Sequence, residues 1–123
     1  MAYAISTVRE FAAAHQLRLY DGTLEPLHGH NWRIKVTVGA PQLDSIGVVM
    51  DFHELERLVD AIIAPWHNRH LNEVPPFTGP SGVNPTAENV AGQLAARLVL
   101  PAGVALASVE VWETATNSAV WRG

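Results

Sequence analysis

Cysteine is absent from all 123 residues, which excludes disulfide staples, thiolate metal ligands and thiol nucleophiles at once. Charge is sparse as well: 16% of the residues are charged, and the eight basic ones are scattered from Arg9 to Arg122 without forming a run. With a formal net charge of −4, the chain has no basic patch to meet nucleic acid or an anionic membrane surface, and neither is expected as a partner. No apolar stretch approaches the roughly eighteen residues of a membrane span. Met1 to His15 carries neither a basic leader nor an apolar segment of signal-peptide length, so a cytoplasmic location is expected. Repeats, low-complexity tracts and dividing linkers are missing too. Residues 1–123, 48% of them apolar, are expected to form a single domain with a modest core.

What the chain does have is histidine in a telling arrangement. His28 and His30 flank Gly29; in a strand, residues two apart project to the same face, and glycine places no side chain between them. His15 closes the segment Phe11-Ala12-Ala13-Ala14-His15, and if the chain returns antiparallel through residues 16 to 27, His15 lands beside that pair. Taken singly, each would be an ordinary strand-end or loop histidine bonded to backbone. Three in one hairpin offer imidazole nitrogens to a single metal ion. Three protein ligands leave tetrahedral zinc one open position, which is how a catalytic site differs from a closed structural one.

The elements read strand, strand, helix, helix, strand, strand. Residues 4–14 form a first strand. From Asn31 onward, Trp32, Ile34, Val36 and Val38 alternate with Asn31, Arg33, Lys35 and Thr37, the pattern of a half-buried strand with its cations toward water. After a loop over Gly39 to Ile46, Asp51 with Glu54 resembles a capping box, and Leu55, Leu58, Val59, Ile62 and Ile63 make a helical stripe that ends before Pro65. Trp66 to Pro85, rich in Pro, Gly and Asn, is long for a connection in so small a domain, and loops of this size often carry function. Thr86 caps a second helix with Val90, Ala91, Leu94, Ala95 and Leu98 on its buried side. Strands at Ser108–Thr114 and Ser118–Trp121 close the chain around Ala115-Thr116-Asn117. The expected fold is α+β, ββααββ, with two helices on one face of a four-stranded antiparallel sheet whose other face needs a partner or water.

Phe11-Ala-Ala-Ala-His15, His28-Gly-His-Asn-Trp32, Asp51-Phe52, His70-Leu71-Asn72-Glu73, Asn84-Pro-Thr-Ala-Glu-Asn89 and Val111-Trp-Glu-Thr114 occur in the same order in the 6-pyruvoyl-tetrahydropterin synthase family. That family, which includes the 6-carboxytetrahydropterin synthases of the queuosine pathway, resembles this chain over nearly its whole length. The resemblance implies the tunnelling fold, in which three subunits close their sheets into an antiparallel barrel and two trimers stack into a hexamer, removing exposed edges. It implies that His15, His28 and His30 bind zinc, which holds the side-chain oxygens of 7,8-dihydroneopterin triphosphate and acidifies the protons that move. It further implies that Glu113 anchors the pterin. Glu113 shares a strand face with Val109 and Val111, so its half-buried carboxylate needs donors, and the pterin amino group and ring N–H offer a bidentate pair.

The chain also departs from the family. The catalytic cysteine, four residues before the first histidine of the His-x-His motif, is replaced by Leu24, and an Asp-His pair in the loop after the first helix is replaced by His67-Asn68. Glu25, His67 and His70 are the candidates to take over proton transfer, whereas His53 on the first helix reads as ordinary. The resemblance therefore implies a zinc-dependent pterin lyase of the 6-carboxy or 6-pyruvoyl type. The alternatives are an enzyme that uses Glu25 to cleave the substrate side chain to 6-hydroxymethyl-dihydropterin, and a paralogue that binds pterin or metal without turnover.

Overall fold

Alternation in the first forty residues yields two thirteen-residue strands, β1 (Tyr3–His15) and β2 (His28–Ala40), in a computed structural model that covers residues 1–123. They pair antiparallel over their full lengths, from Tyr3 opposite Ala40 to His15 opposite His28. One face buries Thr7, Phe11, Ala13 and His15 from β1 with Trp32, Ile34, Val36 and Val38 from β2. The other exposes Glu10, Asn31, Arg33 and Lys35. Pairing continues through the histidines, so β2 begins three residues before the alternation that starts at Asn31.

Next come α1 (Phe52–Ile63), β3 (Arg69–His70), a 3-10 turn at Leu71–Glu73, α2 (Ala87–Arg97), β4 (Ala105–Trp112) and β5 (Ser118–Arg122). The sheet therefore has five strands rather than the expected four, in the order β3-β1-β2-β4-β5, and β3 runs parallel to β1 while every other pair is antiparallel. The extra strand has a local cause. Asn68 adopts φ 59°, a left-handed conformation that asparagine tolerates better than most residues, and its N–H donates to the Ala12 carbonyl at 2.7 Å. That turn lays Arg69 and His70 along the edge of β1, opposite Ala13 and Ala14. β4 starts at Ala105 and stops at Trp112, so Glu113 lies in the β4–β5 connection, where its N–H donates to Asn117 O at 3.2 Å.

Both helices cover the buried face, α1 over β1 and α2 over β4 and β5. Leu55, Val59 and Ile63 are the buried line of α1, and Ala87, Val90, Ala91 and Leu94 that of α2. Ala95 and Leu98 are half-buried at the margin. Asp51 caps α1 by accepting the His53 N–H at 2.8 Å. The capping box is only half formed, because the Glu54 carboxylate pairs with Arg57 one turn on. Arg9 ties α1 to the sheet: its Nε and Nη2 each donate to Asp60 at 2.8 Å and its Nη1 to Glu56 at 3.1 Å. The Asp60 hydrogen bonds lead in raising the guanidinium pKa above its ordinary value, with the charges of Asp60 and Glu56 adding to them. No helix is long and apolar enough to cross a membrane.

Leu55 is fully buried between α1 and the sheet, so Leu55→Ala is expected to lower stability by about 2–5 kcal/mol. Urea denaturation measures this, and a loss under about 1 kcal/mol would contradict that packing.

Candidate active site

The β1/β2 register decides where the histidines point. His15 faces His28 directly and Ala13 faces His30, so all three imidazoles lie on the helix-covered side, with ring centroids 4.7, 4.8 and 5.1 Å apart. His15 Nδ1 lies 2.8 Å from the Pro85 carbonyl oxygen, and His28 Nδ1 lies 2.8 Å from that of Pro26. A carbonyl only accepts, so each Nδ1 carries the proton and each Nε2 presents a lone pair. Those two Nε2 atoms are 3.1 Å apart. The Nε2 of His30 is buried without a hydrogen-bond partner, and Glu113 Oε1 lies 3.1 Å from it and 3.6 Å from His15 Nε2. All four donor atoms fall within 4.8 Å of one another.

The His15 and His28 lone pairs, 3.1 Å apart with no proton between them, repel each other and are costly to leave unmatched. A cation among them resolves the conflict, and three imidazoles are a donor set that suits zinc with its fourth position open, beside the Glu113 carboxylate. Burial depresses the His30 pKa below its ordinary value, opposed by the charge of Glu113 and reinforced by His15 and His28, which favours the neutral, ligating form. Trp32 backs the cluster edge-on, 4.9 Å from the His15 ring and 5.6 Å from that of His30. It is held by stacking on Phe11 and by its indole N–H donating to Ala13 O at 3.2 Å.

The segment between β1 and β2 is clamped by two side-chain amides. Asn72 accepts the Gln16 N–H at 2.9 Å and donates to Gln16 O at 2.8 Å, and Asn84 makes the same pair of bonds to Arg18, at 2.8 and 3.1 Å. Each amide thus imitates a neighbouring strand. The clamped loop carries Glu25, whose Oε1 accepts the Leu17 N–H at 3.0 Å and sits 3.8 Å from His28 Nε2. Leu24, at the position of the family cysteine, is 53% exposed. His67 is exposed at the end of α1, where its Nδ1 accepts the Ala12 N–H at 3.1 Å. His70 lines a cleft of about 520 Å³ with Ala12, Ala14, Gly29, His30 and Asn68. Glu113 lines a second cleft of about 540 Å³ with His30, Arg33 and Trp112. His53 is exposed and bonded to Glu56, an ordinary surface histidine as expected.

The fold therefore brings together His15, His28, His30 and Glu113, with Glu25 at the margin, while His67 is engaged elsewhere. Sequence reasoning had no role for Asn72, Asn84 or the Pro85 carbonyl. Asn84-Pro85-Thr86 signals a helix cap, and Thr86 does accept the Asn89 N–H at 3.0 Å, but nothing in the residue types reveals that the same turn reaches back across the chain to His15 and Arg18.

Residues 4–123 match the family described as 6-pyruvoyl tetrahydropterin synthase. The 6-carboxy-5,6,7,8-tetrahydropterin synthase of Synechocystis is 34% identical over 113 residues, covering 89% of this chain and 84% of that protein. The dihydroneopterin monophosphate aldolase of Pyrococcus furiosus is 33% identical over 105 residues, covering 84% of this chain and 82% of that protein. Among solved structures, 6-pyruvoyl tetrahydropterin synthase from Caenorhabditis elegans superposes with a TM-score of 0.77 at 25% identity, over 98% of this chain and 95% of that one.

Metal analysis of the purified protein is expected to find about one zinc per chain, since one open tetrahedral site is available. His28→Ala should lose most of that metal, and a wild-type protein that binds none would remove the metal centre altogether.

Proposed function

The chain belongs to the 6-pyruvoyl tetrahydropterin synthase family, and from that premise we propose that it is a zinc-dependent pterin lyase acting on 7,8-dihydroneopterin triphosphate or a close relative of it. The observation that carries this reading is the convergence of three imidazole nitrogens and the Glu113 carboxylate within 4.8 Å, at the meeting of two clefts. His15, His28 and His30 would hold the ion, whose contribution when bound is Lewis-acid polarisation of a substrate side-chain oxygen. Glu113, 28% exposed, would accept from the pterin amino group and ring N–H, a bidentate arrangement that fixes the ring plane. Proton transfer would fall to Glu25, His67 or His70, because no thiol exists in the chain.

A second reading, cleavage of the side-chain carbon–carbon bond to give 6-hydroxymethyl-dihydropterin, has its own support. The Glu25 carboxylate lies 3.8 Å from a cluster imidazole, Leu24 supplies no base beside it, and the Pyrococcus relative is named an aldolase. In that reaction Glu25 would take the proton from the side-chain hydroxyl as the bond breaks.

The proposal extends to assembly and setting: a hexamer of two stacked trimers in the cytoplasm, serving queuosine synthesis if the product is the carboxy compound. The uncovered sheet face and the free edges of β3 and β5 support closure with further copies. A monomeric mass in solution would remove that part.

The deciding experiment incubates the zinc-loaded protein with the triphosphate and, separately, the monophosphate of 7,8-dihydroneopterin and identifies products by mass spectrometry. Carboxy- or pyruvoyl-tetrahydropterin is the expected product. Hydroxymethyl-dihydropterin, abolished by Glu25→Gln, would establish the second reading, and unchanged substrate would defeat both. Glu113→Gln should weaken pterin binding by about tenfold or more while zinc is retained; unchanged affinity would take Glu113 out of the pterin site.

A further inference from the structure

We propose that Glu113 is a carboxylate with two alternating partners: at rest it supplies the fourth ligand of the metal centre, and an arriving pterin draws it off the ion. The assignment rests on the zinc-dependent pterin reading and adds to it the state of the site before substrate binds. Its first support is a set of distances. Donor atoms about 2.0–2.1 Å from a tetrahedral ion lie about 3.3 Å from one another. His15 Nε2 and His28 Nε2 are 3.1 Å apart, and Glu113 Oε1 lies 3.1 Å from His30 Nε2 and 3.6 Å from His15 Nε2. The carboxylate oxygen therefore has the spacing of a fourth donor. A good hydrogen bond does not account for its approach, because His30 Nε2 is buried and has no hydrogen-bond partner; the oxygen lies off the line along which a ring N–H would donate. Glu25 is placed differently: its Oε1 is 3.8 Å from His28 Nε2, accepts the Leu17 N–H, and falls outside the group whose donor atoms all lie within 4.8 Å of one another.

The second support is that one position of this side chain cannot serve both tasks. A pterin carries its amino group and ring N–H at one end of the fused bicycle and its side-chain oxygens at the other, two ring widths away. With a side-chain oxygen at the histidines, the carboxylate that holds the ring must lie beyond the far end of the bicycle, whereas Glu113 Oε1 lies among the imidazole nitrogens. The residue has room to change place. It follows β4 in the connection to β5, and its side chain is 28% exposed. It borders both the 540 Å³ cleft beside Arg33 and Trp112 and a smaller one of about 150 Å³ between the start of α2 and β5. Its backbone N–H is held by Asn117 O, so rotation about the side-chain bonds, between staggered rotamers, carries the carboxylate outward.

Closure at rest has a chemical consequence. A fourth protein ligand gives the centre the closed coordination of a structural site until something removes it. The paired N–H groups of a pterin ring do so by offering the carboxylate two hydrogen bonds in place of the ion, and the side-chain oxygens of the same molecule fill the position it leaves. Ring recognition and access to the metal are thereby coupled through one side chain.

The test uses the cobalt(II)-loaded protein, whose visible absorption reports the ligand set, with neopterin as the probe and calorimetry to follow its binding. Without pterin, Glu113→Gln should change the wild-type spectrum and lower metal affinity about tenfold, the three imidazoles still retaining the ion. Added acetate should restore the wild-type spectrum to Glu113→Ala. Neopterin should shift the wild-type spectrum as it binds. Pterin-free spectra and affinities that are the same in wild type and Glu113→Gln would overturn the proposal while leaving the lyase reading intact, and a Glu113-dependent spectrum that bound neopterin leaves unchanged would overturn the exchange. A protein whose spectrum depends on Glu113 but which binds no neopterin would instead defeat the pterin reading, and the resting ligand would stand.

Discussion

The register of β1 against β2 is the constraint on which the site depends. Side chains alternate with a period of two, so a slip of one residue would carry His28 and His30 to the face of Arg33 and Lys35, away from His15. Core packing prevents the slip. Phe11 and Trp32 are directly opposite each other and stacked, and Ile34, Val36 and Val38 have no exposed surface. On the open face, Glu10 lies opposite Arg33 and Lys35 opposite Glu110, so unlike charges meet across the strands. The geometry of a polar site is thus specified by the apolar pattern along the same strands.

That geometry is locally unfavourable without a cation, and the surrounding fold must hold it. Three features do so as one unit. Thr86 caps α2, the carbonyl of Pro85 fixes the His15 tautomer, and Asn84 clamps Arg18; all three come from consecutive residues. Asn89, in the first turn of α2, donates to the Asn84 carbonyl at 2.9 Å. The docking of α2 on β4 and β5 is therefore coupled to the orientation of a ring on β1. Part of the free energy of metal binding to such a site is free energy of folding, because the unfolded chain has no equivalent convergence of ligands.

How much of this is legible in the sequence depends on the range of the interaction. The β2 alternation, the α1 stripe and the Asp51 and Thr86 caps are local patterns, and each corresponds to an element in place. The histidine triad is legible because Gly29 keeps His28 and His30 in phase and His15 ends the adjacent strand. β3 is not legible: two residues carry no periodicity, and the strand exists only because Asn68 turns the chain onto the edge of β1. Nor is the side-chain choice at Glu54 visible in advance, since Arg57 one turn on competes for the carboxylate. The approach of Glu113 to the histidines depends on β4 ending at Trp112, and that boundary is set by pairing with β5 rather than by the residues themselves.

The lack of cysteine makes the choice of base the chemical question of this site, and two of the candidate replacements are mechanically linked. Glu25 sits in the loop held at Gln16 by Asn72, and its Oε1 accepts from Leu17, the next residue. His70 sits two residues before that asparagine, on the strand whose turn carries it. One amide therefore links the loop that carries Glu25 to the turn that follows His70. Moving the β1–β2 loop would displace Glu25 and disturb the turn that presents His70, so a change at either position acts on both. The Asn72–Gln16 clamp lies between the two candidate bases, and in physical terms it belongs to the site as fully as either of them.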